Sequence, residues 1–276
     1  MLSESAYKRS KRSRKRRASP DISLVARDRE FAIILDHIAR RKSLHIYGEG
    51  GTGKSALLEE VYDFLKARDT LIPIYCRSSR TLRNILLQMA LVLIGHFSHL
   101  ESVDKFRRIK DIKYAADLKK LGIRTLRDVV FTYISQADFC VILDHLEYVT
   151  PRINAFLAVL YERVPVVTAS RQSWEQNDYS FKGILDYSLY LIPKLRIENL
   201  KRKEALALIE NLSRSLHIAF PLKRKLFDEV LRISKGNPEV ISTIFEKARR
   251  PEYLKDNKLN LGLILIDSGI EEIPRW

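Results

Sequence analysis

A glycine-rich segment that ends in Lys54 and Ser55 carries the residue types and spacing that point most directly to chemistry. It follows the pattern Gly-x-x-x-x-Gly-Lys-Ser from Gly48, between an apolar strand-like run at 44–47 and a helical run from Ala56. Glycines permit backbone angles that turn several N–H groups towards a polyphosphate, and a helix start adds its positive dipole end. Lys54 can supply a point charge for the terminal phosphates, and the Ser55 hydroxyl a ligand for Mg²⁺. The segment predicts nucleoside triphosphate binding, which we favour over a glycine hairpin followed by a chance Gly-Lys-Ser.

Every residue of this loop is a candidate contact for the nucleotide, and ATP with Mg²⁺ is the expected cofactor. The candidates are Gly48, Glu49, Gly50, Gly51, Thr52, Gly53, Lys54, Ser55 and Ala56.

A carboxylate follows a second apolar run. Asp144 comes directly after residues 139–143, which are all apolar. In an open α/β sheet, an acid at the C-terminal end of a buried strand is where a Mg²⁺ partner belongs. We therefore expect Ser55 and Asp144 to serve the metal, directly or through water. The alternative is an aspartate that caps the next helix.

Hydrolysis also needs a group that orients or activates water. Many ATPases place a glutamate immediately after the metal-side aspartate, and this chain has His145 there. Glu147 is the stronger candidate, although it could also be a surface residue, and a neutral His145 could orient water. Binding is therefore better supported than rapid turnover.

A polar cluster ends the strand predicted at 164–168. Arg171 could sense the terminal phosphate while Thr168 orients water, and the alternative is an ordinary solvated strand end. Arg152 and Arg163 are weaker candidates for an arginine that stabilises developing charge from a neighbouring subunit. The catalytic set that we expect is Lys54, Asp144, Glu147, Thr168 and Arg171.

The charge of the chain indicates a polyanionic partner. The 276 residues carry a formal net charge of +15. Residues 8–17 hold eight basic residues and no acid, so the remainder still carries +7. Nucleic acid, most simply duplex DNA, is the commonest partner of such a surface. An anionic membrane surface or simple solubility are the weaker readings.

Cysteine usage and hydropathy favour a reducing, intracellular setting. Cys76 and Cys140 each lie in an apolar run, with neither a pairing pattern nor metal-ligand spacing, so we expect buried hydrophobes. The longest apolar stretch, 85–97, is too short to span a bilayer, and we expect no membrane association. The expected location is cytoplasmic and nucleoid-associated, or nuclear in a eukaryote.

The order of elements predicts an α/β fold, a P-loop three-layer sandwich with a parallel sheet followed by a small all-α lid. The expected divisions are a disordered basic tail at 1–20, an ATPase core at 21–195, a helical lid at 196–250 and a C-terminal extension at 251–276. The expected strands are 44–47, 71–76, 139–143, 164–168 and 188–192. The expected helices include 80–98, 125–136 with Thr125 as its cap, 151–162, 202–213, 223–234 and 238–249.

These motifs resemble those of AAA+ and STAND-type ATPases over about residues 24–250. Residues 24–30 resemble the arginine/glutamate box near the adenine, and residues 46–55 and 141–148 are similar to the paired motifs of archaeal and eukaryotic replication initiators. Residues 168–171 resemble the STAND Thr-x-Arg sensor. Gly236-Asn237-Pro238 resembles the lid Gly-x-Pro, which implies that Pro238 approaches the adenine.

Three departures qualify the resemblance. His145 replaces the usual catalytic glutamate, and the helix after Pro238 lacks the arginine that initiators place there. The 26 residues after the lid are too few for the initiators' winged-helix domain. The first two favour a slow switch over a motor. A short AAA+-like core with a basic tail resembles the ATPases that regulate DNA transposition and hand a target site to a partner.

The sequence leaves three functions open. The first is an ATP-switched, DNA-associated ATPase that assembles into a homo-oligomer and recruits a protein partner. The second is a STAND-like signalling ATPase that switches a protein partner without DNA. The third is a nucleotide-binding scaffold without catalysis, which the missing glutamate permits.

Overall fold

The computed structural model describes residues 27–68, 71–98, 115–175, 188–215, 223–255 and 258–269. They form two compact units. The sheet unit comprises residues 30–48 and 58–196, and the helical unit comprises residues 27–29, 49–57 and the described residues from 197 onward. The basic tail at 1–20 lies outside the described residues, so its predicted disorder stays a prediction, as does the domain division at residue 195.

The sheet unit is built on five parallel strands in the order β2-β3-β4-β1-β5. The strands are β1 (Leu44–Tyr47), β2 (Ile72–Cys76), β3 (Phe139–Leu143), β4 (Val166–Ser170) and β5 (Lys194–Arg196). Every residue of β3 and β4 is buried, as expected for central strands with helices on both faces. The predicted parallel α/β sheet is confirmed.

Helices lie before and between the strands of the sheet in the chain. They are α1 (Asp28–Ala39), α2 (Lys54–Lys66), α3 (Leu82–Ser98), α4 (Ala115–Leu118), α5 (Ile123–Tyr133), α6 (Pro151–Tyr161) and α7 (Ser188–Leu191). The apolar sides of α3, α5 and α6 share one core with β2, β3 and β4. Cys76 and Cys140 are fully buried free thiols, as the sequence predicted.

Some details of the sheet unit differ from the sequence prediction. Strand β4 runs from Val166 to Ser170 rather than over 164–168, so Thr168 lies within the strand and not at its end. Residues 188–191 form the short helix α7 rather than the fifth strand, and β5 follows at Lys194–Arg196. An apolar run this short does not distinguish helix from strand. Strand β5 is partly exposed, and among the described strands it pairs with β1 alone. Thr125 is not a cap, because α5 already begins at Ile123 after Gly122.

The helical unit has a core of its own. Its elements are α8 (Arg202–Ser215), α9 (Lys223–Ser234), α10 (Pro238–Lys247), a 3₁₀ turn (Pro251–Tyr253), the strand pair β6 (Leu254–Lys255) and β7 (Lys258–Leu259), and α11 (Leu261–Ser268). Helix α9 has the predicted bounds. The apolar run at 259–266, which had no predicted role, contributes Leu261, Ile264 and Leu265 to this core.

Within the described ranges, no helix combines the length and the apolar character needed to cross a membrane.

Candidate functional site

The glycine-rich loop links β1 to α2 with a backbone that glycine makes possible. Gly51 has a φ of +77° and Gly53 a φ of +91°, in the left-handed region that other residues adopt at a cost. The hydrogen-bond ladder of α2 begins where the Leu57 N–H donates to the Gly53 carbonyl, at 3.0 Å. The amides before Leu57 therefore face outward from the helix start, which is the geometry that binds phosphate.

Lys54 folds back over its own loop. Its Nζ donates to the Glu49 carbonyl at 2.7 Å and lies 3.5 Å from the Thr52 hydroxyl. The buried Thr52 hydroxyl donates to the same carbonyl at 3.0 Å. The loop thus holds a positive charge beside its backbone amides, and these groups suit a polyphosphate.

Arg27 belongs to the segment that resembles the arginine/glutamate box, and it forms a hydrogen bond with the loop at Thr52. Its guanidinium is buried and donates to the Thr52 carbonyl at 3.0 Å and to the Glu198 carbonyl. Residues 24–26 of that segment lie outside the described residues. Both of these acceptors are backbone carbonyls of the helical unit.

The Gly-Asn-Pro segment also reaches the loop. Asn237 caps α10, and its side-chain Nδ2 donates to the Gly50 carbonyl at 2.8 Å. The Glu239 N–H lies 3.2 Å from the Gly51 carbonyl. Pro238 is buried at the first position of α10, and its predicted contact with adenine stays a prediction.

Asp144 is a buried carboxylate at the carboxyl edge of the sheet. Its side chain is 4% exposed, and its two oxygens accept from the Tyr75 hydroxyl at 3.0 Å and from the His145 N–H at 2.8 Å. Burial and the charge of Asp144 raise the pKa of Tyr75 above its usual range, so Tyr75 stays a donor. The cap of α6 is Thr150, so Asp144 is not a helix cap.

His145 occupies a left-handed backbone position directly beside this carboxylate. Its φ is +55°, and its Nε2 lies 3.7 Å from an oxygen of Asp144. Its side chain is about half exposed. A ring in this position can interact with Asp144 and with solvent.

Glu147 bridges the ends of two strands. Its Oε2 accepts a hydrogen bond from the Arg171 backbone N–H at 3.0 Å, and the Leu146 N–H donates to the Ala169 carbonyl at 2.8 Å. The sheet unit therefore brings Glu147 and Arg171 together. Arg163 instead donates to the Phe131 carbonyl at 3.1 Å, and Arg152 is exposed at the start of α6.

Thr168 belongs to a buried polar network around His45. The Thr168 hydroxyl lies 2.8 Å from His45 Nδ1, and the Gln172 carbonyl lies 2.9 Å from Nε2. Because a carbonyl only accepts, a neutral His45 ring carries its hydrogen on Nε2 and accepts from Thr168. Ser170 donates to the Gln172 carbonyl and accepts from the Trp174 indole. The role predicted for Thr168 in orienting water stays a prediction.

Three side chains at these positions were not identified from the sequence as site residues. Tyr75 and His45 are polar residues inside apolar strands. That pattern indicates that their side chains form hydrogen bonds, but it does not identify the residues with which they form them. Asn237 appeared only as the middle residue of the Gly-x-Pro resemblance. Its partner Gly50 lies 187 residues away, so periodicity could not connect them.

Solved structures share the fold at low sequence identity. The Walker-type ATPase PABY2304 of Pyrococcus abyssi matches with a TM-score of 0.59 and 18% identity, over 89% of this chain and 72% of that one. The Aeropyrum pernix ORC2 protein, in ADPNP-ADP complexes, matches with a TM-score of 0.56 and 15% identity, over 90% and 70%. Drosophila ORC bound to DNA matches with a TM-score of 0.53 and 14% identity, over 91% and 70%.

At the level of sequence, no family model and no curated protein matches the chain. The structural neighbours include Walker-type ATPases and replication initiators, in agreement with the resemblance of the motifs. The chain therefore has an α/β, P-loop-like fold built on a parallel sheet, similar to the fold of these solved structures.

Proposed function

We propose that this protein is an ATP-binding, slowly hydrolysing ATPase that acts as a nucleotide-dependent switch on duplex DNA. The observation that carries the proposal is the loop from Gly48 to Ser55, with Lys54 folded over it and a helix start behind it. The ADPNP-ADP complexes of Aeropyrum pernix ORC2, a protein of similar fold, support a nucleotide as the ligand. In the proposal, ATP favours self-assembly and recruitment of a protein partner.

The residues present are compatible with Mg²⁺. Asp144 receives two hydrogen bonds, from Tyr75 and His145, while a carboxylate has about four lone-pair sites, so acceptor capacity remains for a cation. The Ser55 hydroxyl is the second oxygen ligand that we propose. When bound, Mg²⁺ supplies neutralisation of the phosphate charge. Lys54 and the loop amides bind and orient the phosphates.

We assign the hydrolytic step to the groups at the carboxyl edge of the sheet. Glu147 orients the attacking water, and Arg171 senses the terminal phosphate or stabilises developing charge. Thr168, whose hydroxyl contacts His45, is the second group that we propose to orient water. Because His145 stands where a catalytic glutamate is usual, the proposed turnover is slow.

Charge supports DNA as the polyanion that this switch contacts. The net charge of +15 and the basic run at 8–17 favour contacts with phosphate groups. Drosophila ORC, which shares the fold, was solved bound to DNA. We propose duplex DNA as the partner of the basic core and of residues 8–17.

The direct test of the nucleotide site is ATP binding by matched lysine variants. Lys54→Ala removes the charge at the loop, whereas Lys66→Ala removes an exposed charge at the other end of the same helix. We expect Lys54→Ala to abolish binding of a fluorescent ATP analogue and Lys66→Ala to bind like the unaltered protein. Equal affinity in all three proteins would overturn the site assignment.

Deletion of residues 1–20 separates the DNA switch from protein signalling. The proposal expects weaker DNA binding and an unchanged affinity for ATP. Unchanged DNA affinity and function would favour a switch that acts on a protein partner.

A further inference from the structure

Asn237 joins the start of α10 to the phosphate loop with both halves of its side-chain amide. Its Oδ1 accepts from the Glu239 N–H at 3.0 Å and from the Val240 N–H at 3.3 Å. Its Nδ2 donates to the Gly50 carbonyl at 2.8 Å. One side chain thus caps the helix and holds the loop at the same time.

The loop lies so close to α10 that only glycine fits at residue 51. A Cβ built on Gly51 would lie 2.5 Å from Asn237 Oδ1 and 2.8 Å from Glu239 Cβ. The Gly51 carbonyl is also 3.2 Å from the Glu239 N–H. Glycine is therefore required at residue 51 for two reasons: the backbone has a positive φ, and a side chain there would clash with the start of α10.

Three successive loop carbonyls are held by residues outside the loop. The Gly50 carbonyl accepts from Asn237, the Gly51 carbonyl from the Glu239 N–H, and the Thr52 carbonyl from Arg27. In a trans peptide, the carbonyl and the N–H point in opposite directions. Holding these carbonyls therefore turns the N–H groups of residues 51–53 away from the residues that hold them, without any ligand.

We propose that Asn237 is a positioning residue that preorganises the phosphate loop and couples nucleotide occupancy to the start of α10. This inference rests on the proposed function, because the ligand it serves is the nucleotide phosphate. Preorganised donors lose less entropy when an anion binds. By the same contact, a phosphate that shifts the peptides at 50–52 also shifts the start of α10.

The chain offers a matched pair of variants for this test. Asn237→Ser retains a side chain that can cap α10 but is too short to donate to Gly50. Asn260→Ser makes the same change at the cap of α11, where Asn260 Oδ1 accepts from the Leu263 N–H at 3.1 Å. Both changes lie in the helical unit, and the contacts of Asn260 are with its own helix and with Tyr253.

Two measurements on the full-length chain complete the test. We expect Asn237→Ser to weaken binding of a fluorescent ATP analogue about tenfold, as for the loss of one hydrogen bond, and Asn260→Ser to leave it unchanged. We also expect lower ¹⁵N NMR order parameters for amides 51–53 in nucleotide-free Asn237→Ser, because the loop peptides lose one of the bonds that hold them. Unchanged affinity and order parameters in a folded Asn237→Ser protein would overturn the inference, as would equal losses in the two variants.

The order parameters keep this inference separate from the proposed function. If the unaltered protein binds no nucleotide, the proposed function fails, while the order parameters of amides 51–53 still report whether Asn237 holds the loop. If it binds ATP and Asn237→Ser binds equally well, the inference fails and the proposed function stands.

Discussion

The carboxylate of Glu147 accepts a hydrogen bond from the backbone N–H of Arg171, with an Oε2–N distance of 3.0 Å. Glu147 follows the strand that ends at Leu143, and Arg171 follows the strand that ends at Ser170. These strands are neighbours in the sheet. One hydrogen bond therefore joins Arg171, which we propose as the phosphate sensor, to Glu147, which we propose as the group that orients water.

Glu147→Gln removes the negative charge of this side chain but keeps an oxygen that can accept the hydrogen bond from Arg171. The glutamine oxygen can still accept from the Arg171 N–H, but it cannot take a proton from water. We expect ATP affinity to stay unchanged and the steady-state turnover number to fall about 100-fold, the lower range for loss of a general base. A turnover like that of the unaltered protein, measured by phosphate release, would limit Glu147 to a structural role.

Tyr75→Phe tests whether the hydroxyl on β2 orients Asp144. The Tyr75 hydroxyl donates to Asp144 at 3.0 Å. Loss of a hydrogen bond to a residue that coordinates a metal typically weakens metal affinity about 10- to 100-fold. We expect ATP binding to require more Mg²⁺, with metal-free binding unchanged.

Tyr62→Phe is the control for this change. Tyr62 loses the same hydroxyl from a ring whose centroid is 5.7 Å from that of Tyr75. Calorimetric Mg²⁺ titrations with ATP present should separate the two variants. Identical titration curves for the two variants would contradict the proposal that the Tyr75 hydroxyl orients Asp144 for Mg²⁺.

The two thiols should be unreactive in the folded protein. Burial raises the pKa values of Cys76 and Cys140 from 9.0 to about 12. The pKa of each thiol is higher in the folded state than in the unfolded state. Their contribution to the free energy of unfolding is therefore fully present below about pH 9 and is lost as the pH rises towards 12. We expect negligible labelling by a thiol reagent at pH 8 and complete labelling in denaturant.

Single variants assign the labelling to each residue. Cys76→Ala and Cys140→Ala should each label at one site after denaturation and remain protected before it. Rapid labelling of either variant under native conditions would contradict the buried placement of the remaining thiol.

The fully apolar strands and the glycine-rich loop were predictable because each has a strong local signal. Residues 139–143 are apolar on both faces, and the structure places β3 at these residues in the middle of the sheet. Strand β5 lacked that signal: it lies at the edge and contains Lys194 and Arg196. The fifth strand was therefore predicted at the neighbouring apolar run, residues 188–192.

The candidate site was predictable as a set of motifs but not as a set of contacts. The spacing from Gly48 to Ser55 identified the loop, and an acid after an apolar strand identified Asp144. The bonds from Asn237 to Gly50 and from Thr168 to His45 span 187 and 123 residues. Tertiary packing brings these residues together, and local propensity carries no information about it.

The central claim is that ATP controls association with DNA, and binding of a random-sequence duplex tests it most directly. We would measure fluorescence anisotropy of the duplex at near-physiological salt with ATP, with ADP and without nucleotide. We predict tight, cooperative binding with ATP alone, weakened steeply by added salt because phosphate contacts release counterions. Equal binding in all three states, or no binding in any, would contradict the claim.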